Sequence, residues 1–301
     1  MGPGVLRLAT RASPLALWQA DHVAGLLRRA HPGLDVDVVR TDTVGDRRQD
    51  VPISEIGGKG VFATEVQQLV LDGRADAAVH SAKDLPAVTS EGLALVAVPE
   101  RGDPRDALVG VALGALAEGA TVATGSQRRR VQLADLRPDL HFVELRGNMA
   151  TRVGKVGTER DGRTIDAIVV AAAALQRLGW GDRIDGLLTP EQMTPQVGQG
   201  TLAVEGRAGD DAAAALLAPI EDPVSRRRLD AERAFLAELG GDCDLPAGAY
   251  SSPPEDDGTL AMRALLAGDD DVVHRAEARG RDGVHLGVDL ARRLRTAVDA
   301  A

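Results

Sequence analysis

Through the first two thirds of the chain, apolar runs of strand length alternate with stretches that carry apolar residues at helical spacing. "VLRLAT" is followed by "PLALWQADHVAGLLRRA", "LDVDVVRT", "VFATEVQQLVLDGR" and "ADAAVH". A second series opens near residue 103 with "DALVGVAL", "ATVATGS", "RRRVQLADL", "LHFVELRG" and "TIDAIVVAAAAL". This order predicts an α/β fold. Ser13 stands where a helix cap belongs and Pro14 at the first helical position, so a helix starts after "TRAS" and brings Arg11 and Ser13 to a strand's end. "ADAAVHSAKDL" and "TIDAIVVAAAALQRL" both enter an apolar run through a small-Asp-Ala step, which suggests two lobes of shared design with a cleft between them.

The pattern changes at Asp222. Pro223 opens a helix through "VSRRRLDAERAFLAEL", and Gly240 and Gly241 end it, because glycine accepts the left-handed C-cap conformation. "TLAMRALLA" and "DVVHRAEARG" alternate partially around an acidic-Gly turn, and a last helix lies near "VHLGVDLARRLRTAV". These predict a small α+β third domain.

Composition narrows the function. With 44% hydrophobic and 27% charged residues the chain is an ordinary globular one, which excludes fibrous and disordered classes. Lys plus Arg total 35 against 45 acidic residues, and the net charge of -10 argues against nonspecific nucleic-acid binding. Any anion site is therefore local. No segment approaches the roughly 18 apolar residues of a membrane span, and no export signal is readable at the amino terminus, so a cytoplasmic, non-membrane protein is expected. One cysteine, Cys243, makes no internal disulfide; it is either an inert core residue or a reactive group. The six histidines show no ligand spacing with each other or with Cys243, so no metal is expected.

The most informative local stretch is "TGSQRRRVQL". A strand ends, Ser126 can cap a helix, and Arg128, Arg129 and Arg130 fill the first turn against the helix dipole. One reading is a solvated basic turn; the other is an anion site of backbone N–H groups and guanidinium forks. Arg146, Arg152 and Arg177 recur at similar strand-end or first-turn positions, where open α/β sheets bind ligands. Together with Arg11 they suggest a polyanion cleft. "VHSAKDLP" sets Ser81, Lys83 and Asp84 after a buried strand, as a solvated loop or as a carboxylate fixed at the cleft mouth that can stabilise a cation or move a proton. "ISEIGGKGVF" fails as a phosphate loop, because Ile53 and Gly60 stand where glycine and Ser or Thr are needed. The Gly-rich run around it is better read as a lid with Lys59 near its hinge. "VGQGTLAVEGR" reads as a structural return strand. Cys243, between Gly-Gly-Asp and Asp-Leu-Pro, has a poor setting for a core residue, and an exposed loop thiol suggests a nucleophile or attachment point.

In this order, "ATRASPLALWQA", "GGKGVF", "ADAAVHSAKDLP", "RRRVQL", "LRGNMATR", "VGQGTLAVE", "AERAFL" and the Gly-Asp-Cys segment resemble the hydroxymethylbilane synthase (porphobilinogen deaminase) family over nearly the whole chain. The resemblance implies two periplasmic-binding-protein-like α/β lobes around a cleft plus a small α+β C-terminal domain. Their bounds are 1–99 with 197–217, 103–193, and 221–301. It implies a covalent dipyrromethane cofactor held as a thioether by Cys243. On this primer four porphobilinogen molecules are deaminated and joined before hydrolysis releases the linear tetrapyrrole. By match, Asp84 is catalytic, and Lys83, Asp84, Ser126, Arg128, Arg129 and Arg152 bind the cofactor. Arg11, Ser13, Gln19, Arg146, Arg152 and Arg177 face the incoming substrate, and Phe62 follows the lid where an aromatic can stack on a ring. A downstream cyclising enzyme, uroporphyrinogen-III synthase, and a monomeric state are also implied.

Two departures stand out. The family's Thr-Ser-Ser-Leu is Thr124-Gly125-Ser126-Gln127 here, which removes one hydroxyl, and Asp242 replaces a common glycine beside the thiol, raising its expected pKa. Two other classes compete with the transferase. One is a noncatalytic two-lobed solute-binding protein for a small dicarboxylate; the other is a Cys-His thiol enzyme.

Overall fold

The computed structural model describes residues 5–41, 63–240 and 245–300. The first sheet is built from β1 (Leu6–Arg11), β2 (Val36–Thr41), β3 (Ala77–Ser81), β4 (Leu93–Ala97) and a late-returning strand, β12 (Leu202–Arg207). Their order is β2-β1-β3-β12-β4, with β1 parallel to both neighbours and β12 antiparallel to both of its own. The second sheet comprises β5 (Asp106–Val109), β6 (Thr121–Ala123), β7 (His141–Val143), β10 (Ala167–Ala171) and β11 (Gly186–Leu188). Its order is β11-β5-β10-β6-β7. Here β6 is parallel to β7 and β10, and β5 is antiparallel to β10 and β11. A two-stranded hairpin, β8 (Glu159–Arg160) and β9 (Arg163–Thr164), lies beside it.

Read from opposite ends, the two orders match strand for strand, and β3 corresponds to β10. The step the two strands share is Asp-Ala, preceded by Ala75 in one and by Ile165 in the other, and it has a physical reason. Asp76 accepts the backbone N–H of Arg7 at 2.8 Å, and Asp166 accepts that of Thr121 at 2.7 Å. Each aspartate also donates its own N–H to the carbonyl of that same residue. The residue before each third strand thus fixes the start of its parallel neighbour, satisfying donors that the ladder leaves open.

Helix α1 (Pro14–Ala30) forms as its caps predict, with Ser13 Oγ accepting from Ala16 N. From its buried face Ala20, Val23, Ala24 and Leu27 join Leu6, Leu8 and Val79 in one core. Full burial of a leucine such as Leu8 or Leu27 is worth about 2 kcal/mol. β10 is buried at all five positions, as a central strand covered on both faces should be. Short helices α2 (Thr64–Leu71), α3 (Gln127–Leu136), α4 (Met149–Val153), α5 (Ala172–Arg177) and α6 (Asp211–Leu217) complete the lobes.

The third unit contains α7 (Pro223–Glu238), an antiparallel sheet of β13 (Ala247–Ser251), β14 (Leu260–Ala267) and β15 (Val273–Gly280), and α8 (Gly283–Asp299). Phe235, Leu260, Met262 and Leu290 are central to its core. The chain crosses between the lobes at residues 98–105 and 189–201. The crossings meet where Gly102 N donates to Gly200 O at 3.0 Å. Gly200 has φ 85°, and a Cβ there would lie 2.7 Å from Gly102 O, so only glycine fits the crossing. Glu232, fully buried on α7, clamps both crossings. It accepts Arg101 Nη1 at 2.6 Å, Gly198 N at 2.8 Å and Ser251 N at 2.9 Å. No helix among the described residues is long and apolar enough to cross a membrane.

Candidate active site

The chemistry gathers where parallel strands end. β3 runs into a single 3-10 turn, Ala82–Asp84, which places Lys83 and Asp84 at the mouth of the first lobe. β6 runs through Thr124 into α3, placing Arg128 and Arg129, and β7 leads to Arg146 and then α4 with Arg152. Arg128 and Arg129 are buried and share one carboxylate, Asp106, which opens β5 and is fully buried. Arg128 Nη2 lies 2.9 Å from Asp106 Oδ2, and Arg129 Nη2 lies 2.8 Å from Oδ1. Gln199 joins them from the second crossing, donating to Asp106 at 3.0 Å while its Oε1 accepts Arg129 and Lys83, each at 3.4 Å. The amide therefore ties a cation of the first lobe to the arginine pair of the second.

Charge inside this cluster is unbalanced. Among the described residues, Lys83, Arg128, Arg129 and Arg152 outnumber the carboxylates that act on them, Asp84, Asp106 and Glu144. Burial first, then the Arg129 guanidinium, brings Lys83 down to about 8, against the opposing pull of Asp84 and Asp106. Burial with Arg129 and Arg146 brings Arg152 down to about 10. Burial alone would raise Asp106; Arg128, Arg129 and the Gln199 bond overcome it and hold the carboxyl at about 2. Arg128 Nε is buried without a hydrogen-bond partner among the described residues. Asp84 acts on both Lys83 and Arg152, yet no protein donor is hydrogen-bonded to its carboxylate among the described residues.

The remaining candidates form a second group around β1 and α1. Buried Gln19 donates to Ser81 Oγ at 2.7 Å, tying α1 to the strand before Lys83. Ser13 is engaged as the α1 cap, and Arg11 ends β1 close enough to His80 to lower its pKa. His80 is buried 3.3 Å from Glu205, and burial with the Arg11 charge brings it down to about 3, so its imidazole is neutral. Arg177 stands apart from the cluster. Its Nη2 donates to Gly200 O at 2.7 Å and its guanidinium lies over the Trp18 ring, 5.6 Å from the centroid, so it bridges the lobes. Trp18 also stacks on His22.

Ser126 occupies the N-cap position as expected but makes no side-chain capping bond. Gly125 also has a local reason: a Cβ there would lie 2.6 Å from Leu145 O. Lys59, Phe62, Asp242 and Cys243 lie outside the described residues. Sequence reasoning missed Asp106, Gln199, Arg101 and Glu232. A lone acid opening an apolar strand and a Gln between two glycines were the available signals.

Clustered cations from two α/β lobes around Asp84, whose carboxylate has no hydrogen-bond donor among the described residues, define a protein suited to small polyanions. Residues 6–215 match the family described as "Porphobilinogen deaminase, dipyromethane cofactor binding domain", and residues 227–296 match "Porphobilinogen deaminase, C-terminal domain". "Porphobilinogen deaminase" of Roseiflexus sp. (strain RS-1) is 47% identical over 294 residues, 96% of this chain and 95% of that one. Those of Roseiflexus castenholzii (50%, covering 82% and 81%) and Syntrophus aciditrophicus (43%, covering 96% and 94%) are similar. The chain belongs to the porphobilinogen deaminase family. This membership sets aside the solute-binding and thiol-enzyme readings.

Proposed function

We propose that Asp84 is the catalytic group of a transferase that condenses four porphobilinogen molecules head to tail into hydroxymethylbilane, within tetrapyrrole synthesis. The observation that carries this reading is the Asp84 carboxylate, without a hydrogen-bond donor among the described residues, set beside the buried cations Lys83 and Arg152. The donor set fits a dipyrromethane. Its acetate and propionate groups suit the cations Lys83, Arg128, Arg129 and Arg152, with Ser126 beside them, and Arg128 Nε, without a partner among the described residues, adds a donor. When bound, the cofactor supplies the free pyrrole carbon on which the product is extended, tethered through Cys243.

Asp84 accepts hydrogen bonds from pyrrole N–H groups. As the aminomethyl C–N bond of the substrate breaks and ammonia leaves, the same carboxylate faces the positive charge that develops. It then takes the proton released as the new C–C bond forms. Arg11, Ser13, Gln19, Arg146, Arg152 and Arg177 hold the incoming carboxylates. Arg177 does so by leaving or sharing its contact with Gly200.

The sheets support a division into residues 1–99 with 197–217, 103–193, and 221–301. The protein acts as a cytoplasmic monomer, and its unstable product passes to uroporphyrinogen-III synthase. In cofactor-loaded protein, Asp84→Asn is expected to lower ammonia release from porphobilinogen by about a hundredfold or more, the scale of a lost charge stabiliser. Normal turnover by the loaded variant overturns the role of Asp84.

A further inference from the structure

Helix α3 begins without the usual supports. Ser126 makes no capping bond, no acid falls in the first turn, and Arg128, Arg129 and Arg130 place positive charge at the end that favours negative charge. What holds this turn comes from elsewhere. On the inward face Asp106 takes Arg128 and Arg129. On the outward face the third domain supplies Asp271, from the turn between β14 and β15. Its Oδ1 accepts Gln127 Nε2 at 2.9 Å and Arg130 Nη2 at 2.7 Å, and its Oδ2 accepts the same Nη2 at 2.7 Å. Arg130 Nε donates to Gln127 Oε1 at 2.9 Å, which closes a ring of three side chains. Farther along the helix, Arg275 of β15 pairs with Asp135 at 2.8 Å.

Two features suggest that this contact positions the helix rather than merely coating it. Asp271 is held at φ 63°, a left-handed conformation that aspartate tolerates better than most residues. Gln127 is one of the departures from the family's pattern, and its amide is what completes the ring. The frame that presents Asp271 is itself fixed, because Glu232 of the third domain clamps both crossings between the lobes.

We propose that Asp271 is a positioning residue for the arginine pair. It supplies from another domain the negative charge that the start of α3 lacks, and so fixes the direction in which Arg128 and Arg129 face the cleft. The inference rests on the reading of those two arginines as ligands of the cofactor's carboxylates.

The test uses the full chain without cofactor, from a host that makes no porphobilinogen, with hydroxymethylbilane as the probe and adduct formation followed by intact mass. Asp271→Gly keeps the backbone conformation and removes the charge. Its adduct formation is expected to be slower by about threefold, the scale of an exposed ion pair plus a helix-end charge. Asp271→Asn should recover part of the loss, and salt should slow the wild type toward the variant. Because the pair is exposed, the melting temperature should move by no more than about 2 °C. Adduct formation by Asp271→Gly at the wild-type rate overturns the proposal, as does slowing matched by a large drop in melting temperature. A wild-type chain that forms no adduct instead sinks the functional reading on which the proposal rests.

Discussion

Asp106 is the residue whose replacement tells most about how the cleft is built. It is fully buried and carries two guanidinium groups and a glutamine amide. Asp106→Asn keeps the shape and one acceptor oxygen but leaves two buried arginines without a counter-charge. Removing one partner of a buried ion pair costs about 3–5 kcal/mol, and the retained acceptor favours the lower end, near 3 kcal/mol. Linkage gives a second route to the magnitude. A carboxyl lowered from 3.8 to about 2 contributes roughly 2 kcal/mol at neutral pH. Because its folded pKa is depressed, that contribution is present above about 3.8 and is lost as pH falls toward about 2. The two routes agree to within about 1 kcal/mol.

The assay can be made local. The chain has two tryptophans, Trp18 on α1 of the first lobe and Trp180 packed against the core of the second. In a Trp18→Phe background, fluorescence during urea denaturation follows the lobe that contains Asp106. The variant should unfold with about 3 kcal/mol less stability at pH 7, and its stability should vary less with pH between 4 and about 2. An unchanged urea midpoint at neutral pH would refute the reasoning, since it would mean that the two arginines do not depend on Asp106.

Two further outcomes follow from the same charges. Lys83 is brought down from 10.5 to about 8, so its ammonium is lost as pH rises through about 8, while folding stability rises from about 8 toward 10.5. Uptake of hydroxymethylbilane by cofactor-free protein should weaken across pH 8, and Lys83→Met should be slower and flat there; a wild-type profile retained by the variant would remove Lys83 from the site. Glu232→Ala should destabilise the chain by about 3–5 kcal/mol, since it strands Arg101 in a buried setting. Calorimetry on the loaded protein checks this, and a loss under about 1 kcal/mol would show that the clamp carries little.

Much of this architecture was legible in the residues, for local reasons. Ser13-Pro14 fixed the start of α1, Gly240 ended the region of α7 with φ 99°, and the Asp-Ala steps marked equivalent strands. Strand-end cations at Lys83, Arg128, Arg129 and Arg152 did come together. What stayed hidden depends on partners far along the chain. Asp106 meets Arg129, Gln199 meets Lys83, and Glu232 meets Arg101 across 23, 116 and 131 positions. Hydrophobic periodicity is blind to such pairings. Arg177 looked like its neighbours in sequence, but a carbonyl and an indole ring on the other side of the crossing engage it. β13 was missed because "AGAYS" is short and small, and it becomes a strand only by pairing with β14.

The central claim is that Cys243 tethers the primer on which Asp84 and the arginine cleft act. Intact mass of the protein, purified from a host that makes porphobilinogen, tests it most directly. The account predicts a mass above that of the bare chain by one two-pyrrole adduct, which Cys243→Ser abolishes. A wild-type mass equal to the bare chain, or an adduct that survives in Cys243→Ser, would contradict it.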